Sequence, residues 1–222
     1  HANIGGIYSG TDVWMSEKQG GAWTKAANIN TLNSKHNSAV VGISHDDKTL
    51  YMLYASGNKK NNGIYFSKVS NSAWQKPEFV FIPGLESTGF TGFYVTPEFD
   101  VMIISMKRDD TRGAEDLYLS VKDETGRWSA PKNMGPVINT TGFEITPFLS
   151  VDKNRLYFLS NGHVGEGDAD IFYCDKLYDS WETWSSPRNA GPKVNSKKFD
   201  AGFSIYGDSV AYFSSNRETM LA

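Results

Sequence analysis

One cysteine in 222 residues, Cys174, excludes an internal disulfide. It lies in the strand-like run "DIFYC", where a packed thiol is the expected state. No apolar stretch approaches the ~18–20 residues of a helical membrane span, so no transmembrane segment is expected. No run of Lys and Arg exceeds two residues and the net charge is −3. Phosphate backbones need a concentrated basic surface, so nucleic acid is not an expected partner. The Gly-x-Ser-x-Gly turn, the P-loop and His-Glu-x-x-His are all missing, which removes the commonest hydrolase and nucleotide signatures. His36, His45 and His163 fall in expected turns without a paired partner, which argues against a transition-metal site. No segment holds a helical apolar period over several turns. No Met or recognisable leader opens the chain, so it reads as a mature or excised piece.

What is present points to β structure: 14% aromatic residues, 21 Gly, and short apolar runs separated by Ser, Thr and Asn. The run "WSAPKNMGPVINTTGFEITPFLS" at 128–150 recurs as "WSSPRNAGPKVNSKKFDAGFSIY" at 184–206 without a gap. Trp128 falls on Trp184, Pro131 on Pro187, Asn133 on Asn189, Asn139 on Asn195, and Glu144 on Asp200. Weaker copies extend the pattern across the chain. The tryptophans are Trp23, Trp74, Trp128 and Trp184, at intervals of 51 to 56 residues. Upstream of each lies a strand-like run: "DVWMS", "GIYFS", "DLYLS" and "DIFYC". Turns carrying Asp46, Asp100, Asp152 and Asp208 form a third landmark.

Each period reads as four strands, of the types "FEITPFLS", "RLYFLS", "EDLYLSVK" and "RWSAPKNM". Four antiparallel strands in a period of this size are the mark of a β-propeller blade. Whole blades are expected at 38–80, 92–134 and 144–190. The chain opens within a unit (12–28) and closes within one (199–214). Residues 199–222 plus 1–28 therefore complete a fourth blade, closing the ring and leaving no unpaired edge at the seam. A larger propeller cut short is the competing reading, with "GGIYSG" at 5–10 as a remnant strand.

The motifs "SVDKNRLYFLSN", "GDADIFY", "WSSPRNAGPKVNS" and "WSAPKNMGPVINTTGFEITPFLS" resemble the WD40-like, TolB-type propeller repeat of Bacteroidetes-type cell-envelope proteins. The first two units match less well: Ala26 stands where Pro belongs, and "WQKPEFVFIPGLESTGF" lacks the Asn-Leu-Gly turn. The resemblance implies a non-catalytic scaffold, in the periplasm or associated with the outer membrane. Its partner would be an envelope protein, one linked to peptidoglycan included, as in proteins with OmpA-like modules or type IX secretion roles. A carbohydrate-binding or glycoside-hydrolysing propeller is the alternative.

Most of the repeated phrase has a structural explanation. Trp128 and Trp184 are expected to pack between blades, the prolines to sit on an edge strand, and Asn139 and Asn195 to fix turns by bonding their own backbone. Glu144 and Asp200 are harder to dismiss, because they open inner strands at the channel mouth; Ser38 and Gly92 are the equivalents. Three roles stay open for them: capping turn amides, holding a Ca²⁺ or Na⁺ ion in the central channel, or acting as a glycosidase acid/base pair. Apart from that ion no cofactor is expected. A partner should bind the face bearing loops 55–63, 107–116 and 161–170 with the turns at 30–37, 84–91, 136–143 and 192–199. Lys59, Lys60, Lys107, Arg108, Arg112, His163, Lys197 and Lys198 lie there. Loop 161–170, with acids alternating with glycines, lacks EF-hand spacing and reads as flexible.

Overall fold

A computed structural model describes residues 11–34, 37–54, 63–85, 90–206 and 210–218. They are all-β apart from one 3-10 turn, Asn30–Leu32, and the sheets are curled. No helix among the described residues is long and apolar enough to cross a membrane. The chain divides into two compact units, His1–Ser87 with Pro97–Phe99, and Thr88–Thr96 with Asp100–Ala222.

The first unit begins with short strands β1 (Trp14–Met15), β2 (Lys18–Gln19), β3 (Ala22–Trp23) and β4 (Ala27–Asn28). They pair as β1 with β4 and β2 with β3. Next come β5 (Ser38–Ile43), β6 (Thr49–Tyr54), β7 (Gly63–Ser70), β8 (Ala73–Trp74) and β9 (Glu78–Phe79). These form one antiparallel sheet in the order β5-β6-β7-β8, with β9 also on β7. Its core is Leu32, Leu50, Met52 and Tyr65, flanked by Val13, Ile29 and Trp74.

The second unit holds β10 (Phe90–Val95), β11 (Val101–Met106), β12 (Asp116–Val121) and β13 (Lys132–Asn133), paired in that order. The next sheet is β14 (Glu144–Leu149), β15 (Arg155–Ser160), β16 (Asp170–Leu177) and β17 (Ser180–Trp184), with β18 (Arg188–Asn189) also on β16. A two-stranded sheet follows, β19 (Asp200–Tyr206) with β20 (Val210–Ser215). β11 reads "VMIISM" and is buried at every position, which is why its apolar run does not alternate. Its Val101 and Ile103 join Leu117, Leu149, Leu156, Phe158, Phe172 and Trp184 in one core.

Three details depart from the sequence expectations. The fourth strand of each unit is broken, so "RWSAPKNM" keeps only β13 and a bridge from Trp128 to Lys122. Pro131 offers no N–H there. A third-strand serine also donates its hydroxyl to a fourth-strand carbonyl: Ser16 to Thr24 and Ser67 to Gln75 at 2.6 Å, and Ser120 to Ser129 at 2.7 Å. Because the break also occurs beside Ala26, proline alone does not cause it. Second, the hairpin turns place Phe99 (φ 59°) with Asp47 (56°) and Lys153 (58°), so Glu98 rather than Asp100 is the counterpart of Asp46 and Asp152. Third, each inner strand carries a bulge, between Val40 and Gly42, Phe90 and Gly92, Ile145 and Phe148, and Ala201 and Ser204. In two of these bulges the left-handed residue is Thr146 (φ 47°) and its counterpart Gly202 (φ 65°).

Candidate functional site

Asn139 and Asn195 clamp a neighbouring strand rather than their own turns. Asn139 reaches back to β12, where its Oδ1 accepts Leu117 N–H at 2.8 Å and its Nδ2 donates to Leu117 O at 3.0 Å. Asn195 clamps Ile171 of β16 in the same way, at 2.9 and 2.8 Å. Asn33 clamps Val13, at 2.6 and 3.1 Å. A second asparagine supports each clamp. The Asn133 and Asn189 Oδ1 atoms accept from Asn139 and Asn195, and also from Gly135 and Gly191 N–H two residues on. Those glycines sit at φ 83° and 82°, where a side chain would be strained. The Asn133, Asn189 and Asn28 Nδ2 atoms in turn donate to Asp116, Asp170 and Asp12, the acids just before the clamped residues. Sequence reading missed this Asp–Asn–Asn unit. Its trace is the Asp of each "DVW", "DLY" and "DIF" run followed by two asparagines downstream.

Glu144 and Asp200 are both fully buried. The Glu144 carboxylate accepts Thr140 N–H at 2.8 Å, the Thr140 hydroxyl at 2.6 Å and the Ser160 hydroxyl at 2.7 Å. Asp200 accepts Ser196 N–H at 2.6 Å and the Ser196 hydroxyl at 2.8 Å, and pairs with Arg217 at 2.9 Å. Ser38 does the same job with a hydroxyl, accepting Ser34 N–H at 2.9 Å. A side chain four residues on thus caps the turn leading into each of these inner strands, and of the three roles left open for Glu144 and Asp200 turn capping is the one these bonds supply. Gly92 has no side chain to do so. Burial alone would raise the Asp200 carboxyl, but bonds from Ser215, Arg217 and Ser196 outweigh it and hold it below the ordinary range. Arg217 also donates to Val194 O, stacks on Phe213, and was not anticipated from sequence.

In the second unit, loops 107–116 and 161–170 meet the turns at 136–143 and 192–199 backbone to backbone. Ala114 N–H donates to Gly142 O at 2.7 Å, Glu144 N–H to Glu115 O at 2.7 Å, and Asp200 N–H to Ala169 O at 3.1 Å. The approach is so close at Gly167 that a Cβ there would lie 2.4 Å from Ser196 O. Loop 161–170 is pinned rather than free, because its Glu166 and Gly167 N–H groups also donate to Asp170.

The expected binding residues divide accordingly. Arg108 is partly buried over Tyr118 and donates to Pro131 O at 3.1 Å, so it supports the loop. His163 packs against Phe158 and Phe172, and its Nε2 donates to Ile138 O at 2.8 Å, the counterpart of the carbonyl met by Arg217. Lys107, Arg112, Lys197 and Lys198 are exposed. Lys59, Lys60, His36 and Asp208 lie outside the described residues, as do 55–62 and 86–89.

Two features complete the inventory. Burial pushes the Cys174 thiol far above its usual range, so it is an inert core group. A groove of about 640 Å³ runs between β13 and β17, lined by Leu119, Val121, Met134 and Trp181 and rimmed by Lys132 and Glu182. Lys132 and Glu182 pair with each other across it. No family model matches this sequence, and no curated protein matches it.

Proposed function

We propose that the chain is a four-bladed β-propeller acting as a non-catalytic binding scaffold of the bacterial cell envelope, periplasmic or outer-membrane-associated. Its partner on this reading is an envelope protein, one linked to peptidoglycan included. Consecutive four-stranded antiparallel meanders with a common inner-strand bulge support the propeller. On this reading the terminal pairs β1–β4 and β19–β20 would each contribute half of the fourth blade. Location and partner class rest on the resemblance of the repeats. The observation that carries the scaffold reading is the fate of the phrase's polar groups. Asn139, Asn195, Glu144, Asp200 and Ser38 all bond within the protein. The groups offered to solvent are instead the charges of the loops and turns, which suit a polar partner.

Charge reversal of Arg112 and Lys197 together tests this, with binding to isolated envelope fractions and the melting temperature as readouts. Binding should weaken while the melting temperature stays nearly constant, since exposed charges contribute little to stability. Cross-links confined to the Asp46 and Asp152 hairpins would place the partner elsewhere. A carbohydrate-binding reading is supported by one feature, the Trp181-walled groove, since pockets of this size with an aromatic wall hold small ligands. Glycan binding abolished by Trp181→Ala would favour it. Hydrolysis is disfavoured because Glu144 and Asp200 have their oxygens engaged. Glycoside turnover lost in Glu144→Gln would reverse that judgement.

A further inference from the structure

Four carboxylates of the second unit are buried to 1% exposure or less: Asp116, Glu144, Asp170 and Asp200. Among the described residues only Asp200 has an ion-pair partner, Arg217. Glu144 has both oxygens met by neutral donors. Asp116 and Asp170 differ from both. Their Oδ2 atoms are well supplied: Asp116 accepts from Arg112 N–H at 3.0 Å and Asn133 at 2.8 Å, and Asp170 from the loop amides and Asn189 at 3.1 Å. Their Oδ1 atoms are buried and meet no donor.

The two residues are equivalent, each the first of a third strand, β12 and β16. The same oxygen is therefore left unmet in the same place twice. Each also sits beside a second buried acid. Glu115, just before Asp116, accepts the Glu144 N–H, and Ala169, just before Asp170, accepts the Asp200 N–H. A buried carboxylate oxygen that meets neither a donor nor a counter-charge is strongly unfavourable. A buried water would satisfy the oxygen but leave the charge unmet. Glu144 and Asp200, by contrast, have at least one donor on each carboxylate oxygen.

We propose that Asp116 Oδ1 and Asp170 Oδ1 each ligate a hard, oxygen-preferring cation of the calcium type, one per repeat, with carbonyl and water oxygens completing the shell. The first unit supplies internal controls: Gly63 has no carboxylate at the equivalent position, and Asp12 is only partly buried.

Equilibrium dialysis of the chelator-treated whole chain against Ca²⁺ tests the proposal. Two saturable sites are expected, one lost in Asp116→Asn, one lost in Asp170→Asn and neither lost in Asp12→Asn. Ca²⁺ should also raise the melting temperature, and the rise should shrink in either of the first two variants. Should those variants fail to fold, the wild-type stoichiometry and anomalous scattering from crystals grown in Ca²⁺ decide. Absence of saturable Ca²⁺ binding, binding indifferent to both substitutions, or a water alone beside both Oδ1 atoms would each overturn it.

Discussion

The repeat that holds β7 and the repeats that hold β12 and β16 fill one slot by opposite chemistry. In the latter an acid opens the third strand, and an asparagine from the fourth donates to it, Asn133 to Asp116 and Asn189 to Asp170. In the former the acid is Gly63 and the asparagine is Phe79. A Cβ at Gly63 would lie 3.0 Å from the Phe79 ring, so the ring lies close against the backbone where the acid's side chain would begin. Neither change makes sense alone. An aspartate facing Phe79 would bury a charge against an aromatic face, and an asparagine facing Gly63 would lose its acceptor. The difference teaches that this part of the phrase is a packing unit exchanged as a set, polar in one place and aromatic in another. The repeats are natural variants of one another, and substitutions that carry a residue between them separate shape from site.

The largest effect is expected at the clamp. Asn139→Ala strands the N–H and C=O of Leu117, which is fully buried, and should cost about 4 kcal/mol in urea unfolding, from roughly 1–3 kcal/mol for each unmet group. A loss below about 1 kcal/mol would show the clamp to be redundant. Next is Arg217→Ala, which leaves Asp200 buried without its ion-pair partner and should cost about 3 kcal/mol. The Asp200 carboxyl lies below its ordinary 3.8 in the folded protein. Its contribution is therefore complete above that value and is lost as pH falls through the lower folded one. Arg217→Ala should move the onset of acid unfolding to higher pH, read by fluorescence across an acid titration. The Glu144 repeat has no arginine at this place: its counterpart is Gly162, where even a Cβ would lie 1.8 Å from the Thr140 hydroxyl.

Smaller effects come from the bulge and the cysteine. Thr146 is exposed, β-branched and left-handed, where the next repeat has Gly202, so Thr146→Gly should stabilise by about 1 kcal/mol. A loss of similar size would mean the threonine side chain contributes more than its strain costs. Cys174 occupies the position at which three other repeats place a serine bonded to a fourth-strand carbonyl. Cys174→Ser should therefore change stability by less than about 1 kcal/mol. A much larger loss would show the fourth repeat to be packed differently.

The β character, the repeat period and the order of strands were legible in the sequence, because alternation and turn residues act locally. The capping role was one of three the sequence left open; the shared spacing of Thr140 and Glu144, Ser196 and Asp200, and Ser34 and Ser38 is the signal that points to it. The clamp was read wrongly. Asparagine in a turn has a strong local alternative, bonding its own backbone, and nothing local signals that Asn139 reaches Leu117 instead. A comparison of repeats would have found it, because the asparagines persist where the acid persists and vanish where it becomes Gly63. Arg217 and His163 were invisible for another reason. They meet equivalent carbonyls, Val194 O and Ile138 O, from neighbouring positions with different side chains, so no repeated letter marks them.

The claim that the phrase encodes shape is tested most directly by rebuilding the polar unit where the chain lacks it. Gly63→Asp and Phe79→Asn, made singly and together, form a double-mutant cycle read by urea unfolding. Gly63→Asp alone should cost about 3 kcal/mol, from overpacking and a buried charge, and Phe79→Asn alone about 1–2 kcal/mol from lost apolar burial. The double variant should restore the acid–asparagine bond and be more stable than the sum of the two losses by at least about 1 kcal/mol. Additive losses, or a double variant worse than the sum, would contradict the account.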